Sequence, residues 1–142
     1  MKSLIWLPAL FSIGVAIYKP VKEVTVCKIE NKSVSLIIYK SAEYNAPIYD
    51  NSTASVYIIV EKVNNKGQRT VVWNKTLRAE LLSQYPSLNK AIAQNIIVPN
   101  VNNKREHVEV SYILTYDSKG TQLQMQDEEV LTGTNGNVQI KI

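Results

Sequence analysis

The side chains in this chain that could do chemistry are few and poorly placed for it. A serine nucleophile needs a histidine to take its proton and a strained, glycine-flanked elbow, and no Gly-x-Ser-x-Gly occurs. His107 is the one histidine. It stands beside Lys104, Arg105 and Glu106 at the head of an alternating run, with no orienting group apparent, and reads as a solvated strand-end residue rather than a general base. With Cys27 as the single cysteine, a tetrahedral zinc set would need carboxylates that the sequence does not place. Asp127-Glu128-Glu129 offers oxygen ligands for calcium. Consecutive carboxylates on a strand point to alternate faces and repel one another, however, without the glycine-permitted turns of a calcium loop, so this run reads as a solvated strand end. Two carboxylates for glycoside hydrolysis could be drawn from twelve acids, but nothing in the sequence sets their separation. The reading is of no catalytic residue, no metal site and no cofactor.

Tyrosine is the useful excess, with eight in the chain. Tyr39, Tyr44 and Tyr49 recur at five-residue steps, the last two in a stretch rich in turn formers that contains Pro47. Exposed phenol rings offer flat apolar area and a hydrogen bond at small entropy cost, which suits a glycan or a protein surface. Tyr44 and Tyr49 are therefore the candidate ligand-binding residues. The competing structural reading folds the same rings back over the open end of the domain, with their hydroxyls on backbone carbonyls.

Charge narrows the partners. The formal net charge is +4, and the basic residues are scattered singly except for Lys104-Arg105. No stripe exists that could neutralise a phosphate backbone, so nucleic acid is not an expected partner.

The elements that would position these residues are strands. Residues 107–117 alternate, with Val108, Val110, Tyr112, Leu114 and Tyr116 on one face and Glu109, Ser111, Thr115 and Asp117 on the other, Ile113 being the exception. Asp117-Ser118-Lys119-Gly120 has the residues of a type I turn, after which Leu123 and Met125 resume the alternation in a returning strand. A second hairpin joins residues 56–63 to 69–77 through Asn64-Asn65-Lys66-Gly67, with Val71, Trp73 and Leu77 on its core face. Residues 24–29 and 34–39 read as an earlier pair around Glu30-Asn31-Lys32, a run that would bury Cys27 beside Val24, Val26 and Ile29. Ile96-Ile97-Val98 reads as a short strand stopped by Pro99-Asn100. Val138, Ile140 and Ile142 form a closing strand with Gln139 and Lys141 outward. Only around residues 78–94 does the spacing turn helical, through Leu81, Leu82, Tyr85, Leu88, Ala91 and Ile92. Pro86 divides that stretch into two short helices or turns.

Seven or eight short strands with one helical insertion predict an all-β, two-sheet sandwich. In strand count and spacing it resembles immunoglobulin-like and fibronectin-like modules. The paired cysteines that bracket a core tryptophan in antibody domains are missing, so the resemblance is one of architecture.

The first residues read differently. Lys2, an apolar run over residues 4–15 and the small-residue exit Gly14-Val15-Ala16 have the pattern of an export signal cleaved after Ala16. The run is shorter than the roughly 20 apolar residues of a membrane span and carries Pro8. This predicts a signal peptide over residues 1–16 and one domain over residues 17–142, secreted or periplasmic, which must hold together by packing because a single cysteine makes no internal bridge. The expected function is a non-catalytic binding or structural module of the cell envelope or extracellular space, acting by protein–protein contact. The alternatives are a carbohydrate-binding module using Tyr44 and Tyr49, and a small secreted hydrolase with dispersed carboxylates.

Overall fold

A computed structural model describes residues 27–142. The expected signal peptide, residues 1–16, and the first residues of the domain, Val24 and Val26 included, lie outside the described residues. Seven strands follow in order: β1 (Ile29–Tyr39), β2 (Thr53–Asn64), β3 (Arg69–Leu81), β4 (Ile92–Asn102), β5 (Glu106–Ser118), β6 (Thr121–Leu131) and β7 (Asn135–Lys141). They form a three-stranded sheet, β4-β1-β7, packed on a four-stranded sheet, β3-β2-β5-β6. This is the predicted all-β sandwich.

Period-two alternation builds the core from both sheets. Val34, Leu36 and Ile38 of β1, with Val138 and Ile140 of β7 and the terminal Ile142, meet Ala54, Val56, Ile58 and Val60 of β2 and Val108, Val110 and Leu114 of β5. β7 runs parallel to β1 and antiparallel partners flank every other pair. It is reached from β6 through Thr132-Gly133-Thr134. At Gly136 the β7 backbone passes so close to the Leu131 side chain that an added Cβ would lie 2.6 Å from Leu131 Cδ1, so a side chain there would force Leu131 to shift.

Five expectations need correction. The first two strands are one: β1 runs unbroken through Glu30-Asn31-Lys32, because none of these residues takes the positive φ of a tight hairpin. The irregularity lies opposite, where β4 bulges at Pro99-Asn100 and Asn31 Oδ1 accepts the Asn100 N–H at 3.1 Å. Pro99 therefore does not stop β4, since a bulge on an edge strand needs no N–H from it. On β3 a register shift between Val60 and Glu61 sets Val71 opposite Glu61 and Trp73 opposite Val60, so Val71 turns out to solvent while Trp73 packs against the core. The β5–β6 turn is Lys119-Gly120, with φ of 53° and 80°, the mirror-image geometry that matches strand twist, in place of a type I turn one residue earlier. Cys27 is exposed, its Sγ donating to Asn102 Oδ1 at 3.1 Å, and it precedes β1 rather than lying in a strand.

The helical insertion shrinks to two 3-10 turns, Leu82–Gln84 and Leu88–Lys90, on either side of Pro86. Of its spaced apolar residues only Leu82 and Tyr85 are buried. The Leu82 N–H donates to Ser52 O, and the Tyr85 hydroxyl donates to Ala54 O at 2.8 Å and to Arg78 O at 3.2 Å. Those bonds pin the crossover between the sheets to β2 and β3.

Candidate functional site

Tyr44 and Tyr49 sit on consecutive 3-10 turns, Ala42–Asn45 and Pro47–Tyr49, in the β1–β2 connection. Pro47 opens the second turn, where its missing N–H costs nothing. Ser52 closes the segment, its hydroxyl donating to Ser118 Oγ at 3.0 Å and tying the loop to the end of β5. The structure brings the two predicted rings together: they meet edge to face, with centroids 4.9 Å apart and planes at 84°. Tyr116 of β5 joins them, 5.8 Å from Tyr44. Tyr39 does not; it ends β1 and its hydroxyl donates to Gln139 Oε1 on β7. All three clustered rings are half-buried against the core, as an end cap would be, yet their outer edges line a half-open groove of about 390 Å³ completed by Ile48, Leu82 and Leu123.

The groove runs up to β6, the feature that sequence reasoning missed. The β5–β6 register sets Leu123, Met125, Asp127, Glu129 and Leu131 opposite Tyr116, Leu114, Tyr112, Val110 and Val108, so these β6 residues point to the inner face of the sandwich. The smaller sheet has one strand fewer and covers only Leu131. Every other residue of β6 is exposed, including Leu123 at 59% and Met125 at 52%, with Ile48 at 76% beside them. Among the described residues the outer edge of β6 pairs with no strand. The alternation of Leu123 and Met125 in the sequence signalled a strand; nothing local says that no sheet lies over it.

The other open edges are blunted. β4 carries Pro99, a bulge and Asn100 at φ 53°. β3 carries Arg69, Lys75 and Arg78 and two register shifts. β7 is short and ends in Lys141. β6 has no lysine, arginine, proline or register shift, and its one protective device is the inward-pointing pair Asp127 and Glu129 near its far end.

His107 belongs to a polar cluster on the outer face of the larger sheet, a correction to its reading as a merely solvated residue. Its Nε2 lies 2.6 Å from Glu109 Oε1, and Glu109 is buried. The register sets Glu61 directly opposite Glu109, a like-charge pair that would repel alone. Arg69 bridges both, at 3.0 Å and 2.7 Å, and reaches Glu128 of β6 at 3.3 Å. The hydrogen bond to Glu61, with the charges of Glu109 and Glu128, holds the guanidinium pKa above its ordinary value. One guanidinium thus clamps four strands. The acids are already committed to it, and among the described residues no group of three or more His, Cys, Asp or Glu side chains is arranged to hold a metal ion.

The tyrosines near β6 carry a pH dependence. Burial, with the hydrogen bond from its hydroxyl to Asp127, pushes Tyr112 up to about 12, and burial beside Tyr44 pushes Tyr116 up as well. A raised folded-state pKa means that the folded form holds its proton more tightly. The resulting stability is complete below the unfolded value near 10 and is lost as pH rises toward 12. The thermal midpoint is expected to fall steeply over that window. Tyr112→Phe, which has no proton to lose, should flatten the fall when midpoints are followed against pH beside tyrosinate absorbance.

The chain matches no known family model, no curated protein and no solved structure.

Proposed function

We propose that this protein is an exported, non-catalytic binding module of the cell envelope or extracellular space that takes an extended segment of a protein partner along β6. The observation that carries this reading is an eleven-residue edge strand, guarded only by Asp127 and Glu129 and exposed over all but its last residue, whose inner face begins with Leu123 and Met125 beside a tyrosine groove. Strand addition suits such an edge: main-chain hydrogen bonds supply affinity and alternate side chains drop into adjoining pockets. Export rests on the leader pattern of residues 1–16. The glycan reading is weaker because the faces of Tyr44 and Tyr49 are partly occupied by each other and by the core.

The test is a selection of binders from a displayed peptide library, followed by amide-exchange mapping on the folded domain. Selected peptides are expected to protect amides of residues 121–129 and to lose affinity at least tenfold with Leu123→Lys. Peptides that protect none of β6, or an oligosaccharide panel whose binding alone is lost in Tyr49→Ala, would overturn the proposal.

A further inference from the structure

The inner face of β6 has two unlike halves, which makes the docking edge directional in chemistry. Leu123 and Met125 form the apolar half, continuous with Ile48 and the tyrosine groove. Asp127 and Glu129 form the acidic half, two strand steps further on the same face. Asp127 accepts the Tyr112 hydroxyl at 3.0 Å, and neither it nor Glu129 makes an ion pair among the described residues. Glu128, on the opposite face, reaches Arg69 at the edge of its cluster. The edge therefore presents two apolar positions and two unneutralised carboxylates at period two.

A second copy of the chain is a poor occupant. β6 laid antiparallel against β6 in full register would set Leu123 and Met125 opposite Glu129 and Asp127, apolar against carboxylate, and crowd six acids about the middle of the seam in mutual repulsion with no lysine or arginine on either strand. A foreign strand with the complementary pattern meets no such repulsion.

We infer that the partner segment is an extended peptide whose same-face residues are two apolar side chains and two lysines or arginines, set opposite Leu123, Met125, Asp127 and Glu129. This deepens the proposed function and rests on it. Apolar side chains cover Leu123 and Met125 and enter the groove, while the basic pair neutralises the carboxylates that otherwise guard the edge. The same acids that deter indiscriminate strand pairing thereby select a basic partner.

The probes are synthetic peptides that alternate serine with valine, valine, lysine and lysine, made in both orders to allow either strand direction, and the same peptides with glutamate for lysine. At low salt the better lysine peptide is expected to bind about 3- to 10-fold tighter than its glutamate counterpart, two exposed ion pairs accounting for the difference, and the gap should close as salt is added. Amide shifts should map to residues 121–129. In Asp127→Asn/Glu129→Gln the preference should vanish while valine-dependent binding remains. Equal binding of both peptides at β6 would overturn the charge selection and leave strand docking standing. No β6 shift with any peptide, or self-association that consumes the edge, would overturn both.

Discussion

A chain ending at Thr134 is expected not to fold. β7 and Ile142 supply Val138, Ile140 and Ile142, each at most 1% exposed. At about 1.5–3 kcal/mol for each buried side chain, their removal takes away roughly 5–9 kcal/mol. A domain of this size has only about 5–15 kcal/mol to lose. The truncation also strips the β1 edge of its parallel ladder from Ser33 to Tyr39 and opens the core flank of Val34, Leu36 and Ile38 to water. Circular dichroism and amide dispersion should report an unfolded chain. A peptide of residues 135–142 supplied in trans should restore the folded spectrum, because it returns the parallel ladder on β1 and the missing part of the core. Cooperative unfolding of the truncated chain near the intact midpoint would contradict this account of the core.

How much of this was legible in the sequence depends on the length scale of the signal. Strand faces are local, so the alternation of Val108 to Tyr116 and of Val138, Ile140 and Ile142 predicted their inward sides correctly. Bulges are not. The shift that sends Val71 outward and the bulge that admits Pro99 into β4 arise from pairing between strands, and no local pattern in either strand announces them. The tyrosine loop was legible as aromatics on turns, but its juxtaposition with Tyr116 and Leu123 is a product of the fold. The exposure of β6 is the extreme case, because it follows from the count of strands in the opposite sheet. His107 and Glu109 were visible two apart on one face, so their pairing could have been read; the burial of Glu109 could not, since it depends on Arg69 from a different hairpin.

The helical spacing of residues 78–94 predicts two short helices or turns about Pro86, and two 3-10 turns stand there, while the ends of the stretch belong to β3 and β4. Leu82 and Tyr85 stand three apart because a 3-10 turn, like an α-helix, returns to the same side after one turn, and both are buried. Tyr85 is the anchor of this crossover, and its replacement separates two contributions. Tyr85→Phe keeps the ring and leaves Ala54 O without its side-chain donor, at an expected cost of about 1–2 kcal/mol. Tyr85→Ala also empties the ring's site between the sheets and is expected to cost about 3–5 kcal/mol. Because burial pushes the Tyr85 pKa up, the phenylalanine variant should also lose less stability than the intact protein as pH rises above 10. Denaturant melts at neutral and alkaline pH would measure both effects. If alanine and phenylalanine cost the same, the hydroxyl bonds alone would hold the crossover; if phenylalanine costs nothing, the ring alone does, and the crossover would then be held by packing at Leu82 and Tyr85 rather than by the bonds to β2 and β3.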